Sequence, residues 1–220
     1  MKKHIICLGD SNTHGYCADP GDCADHGTRF NEDERWTCRL QNLLGPKYLV
    51  IEEGLSGRTT VFPDPLHESM PALDVAYPIL MSHEPVDGLI IMLGTNDTKE
   101  RLNMNAACIA RGMERLIEKC KTVPCWGGQR PNILVVCPPH IGIEMETSDV
   151  MPAMGLGCAE KSRQLAAAME PLVRGQGCMF LDAEGIAEFN KIDYMHLTNK
   201  GHAQLAEYLA KVVPYFGMRE

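Results

Sequence analysis

The chain has 220 residues, 23% of them charged, and a formal net charge of −8. That length fits one α/β domain over residues 1–220, burying roughly 70% of the surface its unfolded form exposes. The 21 Lys and Arg residues form no basic run, which excludes the electrostatic footprint of a nucleic-acid binder and points to a neutral or apolar small-molecule partner.

Ten cysteines are present without any Cys-x-x-Cys. Cys7, Cys108, Cys120 and Cys137 sit in apolar or helical patterns, where a cysteine acts as a small hydrophobe. They read as reduced thiols, and Cys17 and Cys23 lack the partners a structural zinc would need, so no metal is expected. MKKHIICLGD has a five-residue apolar stretch, too short for the apolar region of a signal peptide. No long apolar span follows, so no membrane partner and a cytoplasmic location are expected.

The first strand candidate, HIICL (4–8), runs into Gly9-Asp10-Ser11. A serine at a strand-to-helix turn can expose its hydroxyl at the sheet edge with backbone N–H groups aimed at the same point; equally, Ser11 or Asn12 could only cap a helix. Residues 17–35, rich in Gly and Asp, form an irregular stretch of the kind that is usually functional or mobile. The second strand, YLVIE (48–52), leads into EEGLSGRTT. Gly54 and Gly57 there suit close approach of backbone to a ligand, and the Gly57 N–H could donate to an oxyanion, although an ordinary turn explains the same glycines. The third strand, GLIIML (88–93), ends in LGTNDT, where Asn96 can point amide donors into a cleft and Asp97 can cap a helix.

Ile109, Met113, Leu116, Ile117 and Cys120 then recur at helical spacing. The fourth strand, NILVVC (132–137), precedes a long loop, 138–158, whose many apolar side chains need cover from the cleft or from a neighbouring subunit. A second helix carries Leu165, Met169, Leu172 and Val173, the fifth strand is MFLD (179–182), and a last helix carries Leu205, Leu209, Val212 and Phe216. Before that helix, KIDYMHLTNKGH places Asp193 three residues ahead of His196, with Thr198 as the helix cap. A carboxylate so placed can orient the imidazole through Nδ1–H. His202, inside the helix without a matching acid, has a structural or surface role.

Strands apolar on both faces and alternating with amphipathic helices predict a three-layer α/β/α doubly wound, flavodoxin-like fold with a parallel sheet of about five strands. Such folds bind ligands at the carboxyl edge of the sheet, where Ser11, Gly57, Asn96, Asp193 and His196 all fall. A serine needs a histidine to take its proton, the imidazolium needs a carboxylate, and the oxyanion needs donors; these residues can supply each role.

The block GDSNTHG, with Gly57, GTND and D-x-x-H, resembles the SGNH hydrolases, the group that includes the GDSL esterases. RWTCRLQNLLG, VIEEGLSGRTT and LIIMLGTNDTK are similar to its bacterial arylesterase and acyltransferase branch, whose members act on short-chain esters and often assemble into oligomers. The resemblance implies Ser11 as nucleophile and oxyanion donor, Gly57 N–H and the Asn96 side chain as further donors, His196 as base and Asp193 as its orienter. It also implies a homo-oligomer and no cofactor. Asn12 and Tyr194 depart from the family pattern, which commonly has Leu after the serine and a small residue after the acid, so an altered substrate rim is expected. The expected activity is hydrolysis of small acetyl-like esters through an acyl-enzyme, with transfer to alcohols as an extension. A carbohydrate O-acetyl esterase is the alternative within the same chemistry. A flavodoxin-like phosphate or flavin module, cradling a phosphate with Ser11, Asn12 and Thr13, and an inactive interaction domain are the readings without this chemistry.

Overall fold

A computed structural model describes residues 1–215; Phe216, expected on the last helical face, lies outside them. Five parallel strands, β1 (Lys3–Gly9), β2 (Tyr48–Gly54), β3 (Gly88–Met92), β4 (Ile133–Cys137) and β5 (Met179–Asp182), form one sheet in the order β2-β1-β3-β4-β5. Each lies within about two residues of its apolar run in the sequence.

Alternation along the central strands divides the core in two. Ile6, Leu8, Leu89, Ile91, Ile133 and Val135 face one side, covered by α3 (Ala72–Ser82), α4 (Ala106–Thr122) and α6 (Cys158–Gly175). Ile5, Cys7, Ile90, Met92, Leu134 and Val136 face the other, beneath α2 (Trp36–Leu44) and α7 (Asn199–Val212). Full burial of each large aliphatic side chain contributes about 1.5–3 kcal/mol, which is why strands apolar on both faces require helices on both.

α2 and α3 are additions to the helices read from spacing. α3 carries Pro78 in its interior, a residue that masks a helical pattern. Residues 17–35 are ordered around a buried carboxylate: Glu34 accepts from the Ala24 and Asn31 N–H groups at 2.9 and 3.1 Å and from Asn199 Nδ2 at 2.7 Å. The stretch is therefore a structural wrap that also shelters Cys17, Cys23 and Phe30. Cys7, Cys120 and Cys137 are buried thiols, as expected, but Cys108 is exposed on α4, contrary to its expected burial.

Segment 138–158 contains a short 3₁₀ turn, Ile143–Thr147, and α5 (Met151–Met154). Its Ile141, Met145 and Met154 are buried with Cys158, Ala159 and Met195 in a small cluster of the chain's own. Most of the segment is thus covered from within, and Ile143 and Leu156 remain exposed.

The chain turns outward from β1 to β2 on one side and to β3 on the other, which opens a crevice at the carboxyl ends of β1 and β3. In register, Gly9 of β1 lies beside Gly54 of β2 and Met92 of β3, so the segments after these three strands begin at one edge. Gly54 meets protein here and not ligand: a Cβ on it would collide with the Thr13 and His14 backbone. Its missing side chain lets the helix that begins at Ser11 sit against the sheet.

Candidate active site

Ser11 opens a one-turn helix, α1 (Ser11–His14), but the cap is Asp10, whose Oδ1 accepts the Asn12 N–H at 3.0 Å. The serine hydroxyl is left free for another partner. That partner comes from 185 residues away: His196 Nε2 lies 2.7 Å from Ser11 Oγ, and His196 Nδ1 lies 2.6 Å from Asp193 Oδ2. A carboxylate can only accept, so Nδ1 carries the proton and Nε2 presents its lone pair to the hydroxyl.

Asp193 is itself held. Its Oδ1 accepts from Asn190 Nδ2 at 2.9 Å and from the Met195 and His196 N–H groups at 3.1 Å each. Burial pushes this carboxyl up, but the hydrogen bond to His196, the imidazole charge and the two N–H groups outweigh it and hold its pKa at about 2. It is an anion at any working pH.

The other strand ends reach the same place. Ser11, Gly57 and Asn96 line a cavity of about 200 Å³ together with His196, Val150 and Met154. Gly57 has φ of +90°, a conformation costly for any side-chain-bearing residue. Asn96 Nδ2 is buried and has no protein partner, an uncommon state for a buried amide unless it serves a bound group. Asp97 does not cap a helix: it accepts from the Thr60 N–H at 2.9 Å and the Thr60 hydroxyl at 2.6 Å, tying the loop after β2 to the turn after β3. A larger groove of about 690 Å³, bordered by Met104, Arg115 and Leu172, contains none of these groups.

Residues 7–204 match the GDSL-like lipase/acylhydrolase family. The chain belongs to this family. Among solved structures, the native Mycobacterium smegmatis aryl esterase is similar at 33% identity and TM-score 0.85, over 97% of this chain and 99% of its own. Est24, a carbohydrate acetylesterase from Sinorhizobium meliloti, is 32% identical with TM-score 0.86 over the same shares. No curated protein sequence matches. The five-stranded α/β fold is that of the SGNH hydrolases, and the chain is a carboxylic ester hydrolase.

Within this SGNH hydrolase, the structure adds partners that spacing did not suggest. Asn12 is buried, not part of a substrate rim. Its Oδ1 accepts the Leu197 N–H at 2.9 Å and its Nδ2 donates to the Met195 carbonyl at 3.3 Å. The residue where the family commonly has Leu therefore clamps the loop carrying Asp193 and His196. Those bonds, with the burial of Thr13, leave no cradle for a phosphate. Tyr194, the other departure, has φ of 61° and packs beside the small cluster under segment 138–158. Asn190 Oδ1 accepts the Ile192 and Asp193 N–H groups at 2.7 and 2.9 Å. An Asn three residues before the acid was the available signal. Tyr16 stacks obliquely on His196, ring centroids 4.6 Å apart.

Among the described residues, no group of His, Cys, Asp and Glu side chains could hold a metal ion, and no helix is long and apolar enough to cross a membrane.

His202 is wholly buried, its Nδ1 accepting the Trp36 N–H at 3.2 Å. Burial, and then the charges of Arg39, His196 and Arg35, lower its pKa to about 3. The folded value lies below the unfolded one of about 6.5, so its stabilising contribution is complete above about pH 6.5 and is lost as pH falls toward 3. Asp10 and Asp97, both raised to about 6 chiefly by burial, act oppositely: their contribution is present below about pH 4 and is lost as pH rises to 6. His202→Gln isolates the histidine. Its stability deficit against wild type should shrink by up to about 1.4 kcal/mol per pH unit as pH falls from 6 to 4. Urea titrations at each pH check this, and a deficit independent of pH would contradict it.

Proposed function

We propose that a single domain spanning residues 1–220 cleaves small, short-chain acyl esters through an acyl-enzyme on Ser11. The observation that carries this reading is the continuous bond path from Ser11 Oγ through His196 to Asp193, at 2.7 and 2.6 Å. His196 Nε2 takes the hydroxyl proton as Ser11 Oγ attacks the ester carbonyl, and Asp193 stabilises the imidazolium that forms. The N–H groups of Ser11 and Gly57 and the Asn96 amide stabilise the oxyanion. His196 then protonates the departing alkoxide, and water, deprotonated by the same imidazole, hydrolyses the acyl-Ser11. An alcohol in place of that water gives acyl transfer.

The small volume of the cavity, about 200 Å³, supports a preference for acetyl to butyryl groups over long chains, because each further methylene needs space beyond it. A panel of p-nitrophenyl esters of rising chain length tests it, and equal turnover of palmitoyl and acetyl esters would defeat it. The similarity to the Sinorhizobium carbohydrate acetylesterase supports a second reading, deacetylation of small sugars, which acetylated monosaccharides in the same panel distinguish. The exposed Ile143 and Leu156 beside the cavity segment support a homo-oligomer, which light scattering on the eluting protein would measure. The thiol-rich composition supports a cytoplasmic location.

Asn96→Ala should lower kcat by about 10²- to 10³-fold with little change in KM, since an oxyanion donor acts in the transition state. A variant that melts earlier but turns over normally per folded molecule would remove Asn96 from that role.

A further inference from the structure

The cavity beside Ser11 is lined by two cationic side chains and by no anionic one. Its ionisable walls are His67, Lys99, Arg101, His196 and Tyr16, with no carboxylate among them, in a protein of net charge −8. Two carboxylates sit behind the wall: Asp193, which pairs with His196, and Asp64, whose side chain is wholly buried. Lys99 Nζ lies 2.9 Å from Asp64 Oδ2, while Arg101 Nε and Nη2 lie 2.8 and 2.7 Å from its Oδ1 and Oδ2. The Arg101 guanidinium, and with it the Lys99 ammonium, hold the Asp64 carboxyl well below the usual carboxylate range against the effect of burial. Asp64 thus faces two fixed cations, and neither cation has another ion pair among the described residues. Neighbouring Glu100 and Glu146 are turned to backbone, accepting from the Leu156 and Gly157 N–H groups at 2.9 Å each.

Arg101 also donates from Nη1 to the Ala153 carbonyl, which fixes its guanidinium from a second side. Lys99 is the unbalanced member: only 4% of it is exposed, yet its three donors make one bond, to Asp64. A desolvated ammonium with donors to spare is costly in isolation and is the natural partner of a second carboxylate. Val150, Ala153, Met154 and Met195 make the rest of the wall apolar, which suits a short chain or ring joined to that charge.

We propose that Lys99, supported by Arg101, selects esters that carry a carboxylate close to the scissile bond. This replaces the neutral partner that overall charge suggests, and it rests on the serine esterase reading of the site. The charge can be on either side of the ester, and two matched pairs separate these sources. In 4-acetoxybenzoate against its methyl ester the charge is on the alcohol part; in monoethyl succinate against ethyl valerate it is on the acyl part.

The readout is the ratio of kcat/KM for the anionic ester to that for its neutral match, compared between wild type and Lys99→Met, which keeps bulk and removes charge. In at least one pair the ratio should fall about 10- to 100-fold in the variant, the range expected for one hydrogen bond to a charged group. In wild type it should also fall as salt rises. Arg101→Gln should move it the same way, which keeps the test standing if Lys99→Met does not fold. A ratio unmoved by variant and by salt would mean that the three charges only brace the loop after β2, and would overturn the proposal. Labelling of wild-type Ser11 by a fluorophosphonate separates the two failures. Labelled protein with an unmoved ratio overturns the anion site alone, whereas protein that is never labelled overturns the esterase mechanism and this inference with it.

Discussion

Ser11→Ala is expected to lower kcat on a p-nitrophenyl ester by roughly 10⁶-fold, the scale on which dismantled serine triads lose activity, while leaving the fold intact. The side chain contributes one polar contact outside its own turn, the 2.7 Å bond to His196 Nε2. The one-turn helix keeps its Asp10 cap and the loop keeps its Asn12 clamp when the hydroxyl is gone. Unfolding midpoints should therefore stay close to wild type. More than a small residual fraction of activity, with contaminating esterase excluded by active-site titration, would show that another group performs the attack.

Asp193→Asn should cost about 10⁴-fold in kcat. The amide retains the shape of the carboxylate but presents either a neutral oxygen or an NH₂ to His196 Nδ1. In the second orientation it favours the tautomer whose Nε2 bears the proton and cannot accept one from Ser11. Stability should respond as well. Asp193 has a folded pKa of about 2, below the unfolded value of about 3.9. Its contribution is therefore present above about pH 4 and is lost as pH falls toward 2. The variant should be less stable than wild type at pH 7, and that difference should narrow in acid. Were kcat to fall less than tenfold, Asp193 would not be the group that orients the base.

The strands could be read from sequence because each is a short run apolar on both faces, a pattern that parallel sheets impose strongly. The same residues also carry which face each side chain serves, since the period of two assigns Ile6 and Leu8 to one core and Ile5 and Cys7 to the other. The candidate chemistry was legible because a strand end is a fixed place in a doubly wound fold. A Ser, a Gly-bearing turn and an Asn after three successive strands must share an edge, and Asp-x-x-His needs only its own loop to be paired.

What the tertiary structure alone decided depends on contacts between residues far apart in the chain. Asn12 reads as a helix cap or a rim residue until the loop 185 positions away is brought against it. Asp97 has the composition of a cap, but Thr60 takes both of its oxygens because the turns after β2 and β3 meet. Residues 17–35 look unstructured by composition; Glu34 organises them through bonds that no local pattern encodes. The apolar side chains of 138–158 are covered largely by Cys158, Ala159 and Met195, a fact their hydropathy could not supply, since burial depends on what the fold places opposite. The charges that line the cavity follow the same rule. Asp64, Lys99 and Arg101 are three ordinary ions in a chain of net charge −8, and only the packing that hides the carboxylate behind both cations leaves the cations, and not the anion, on the wall beside Ser11.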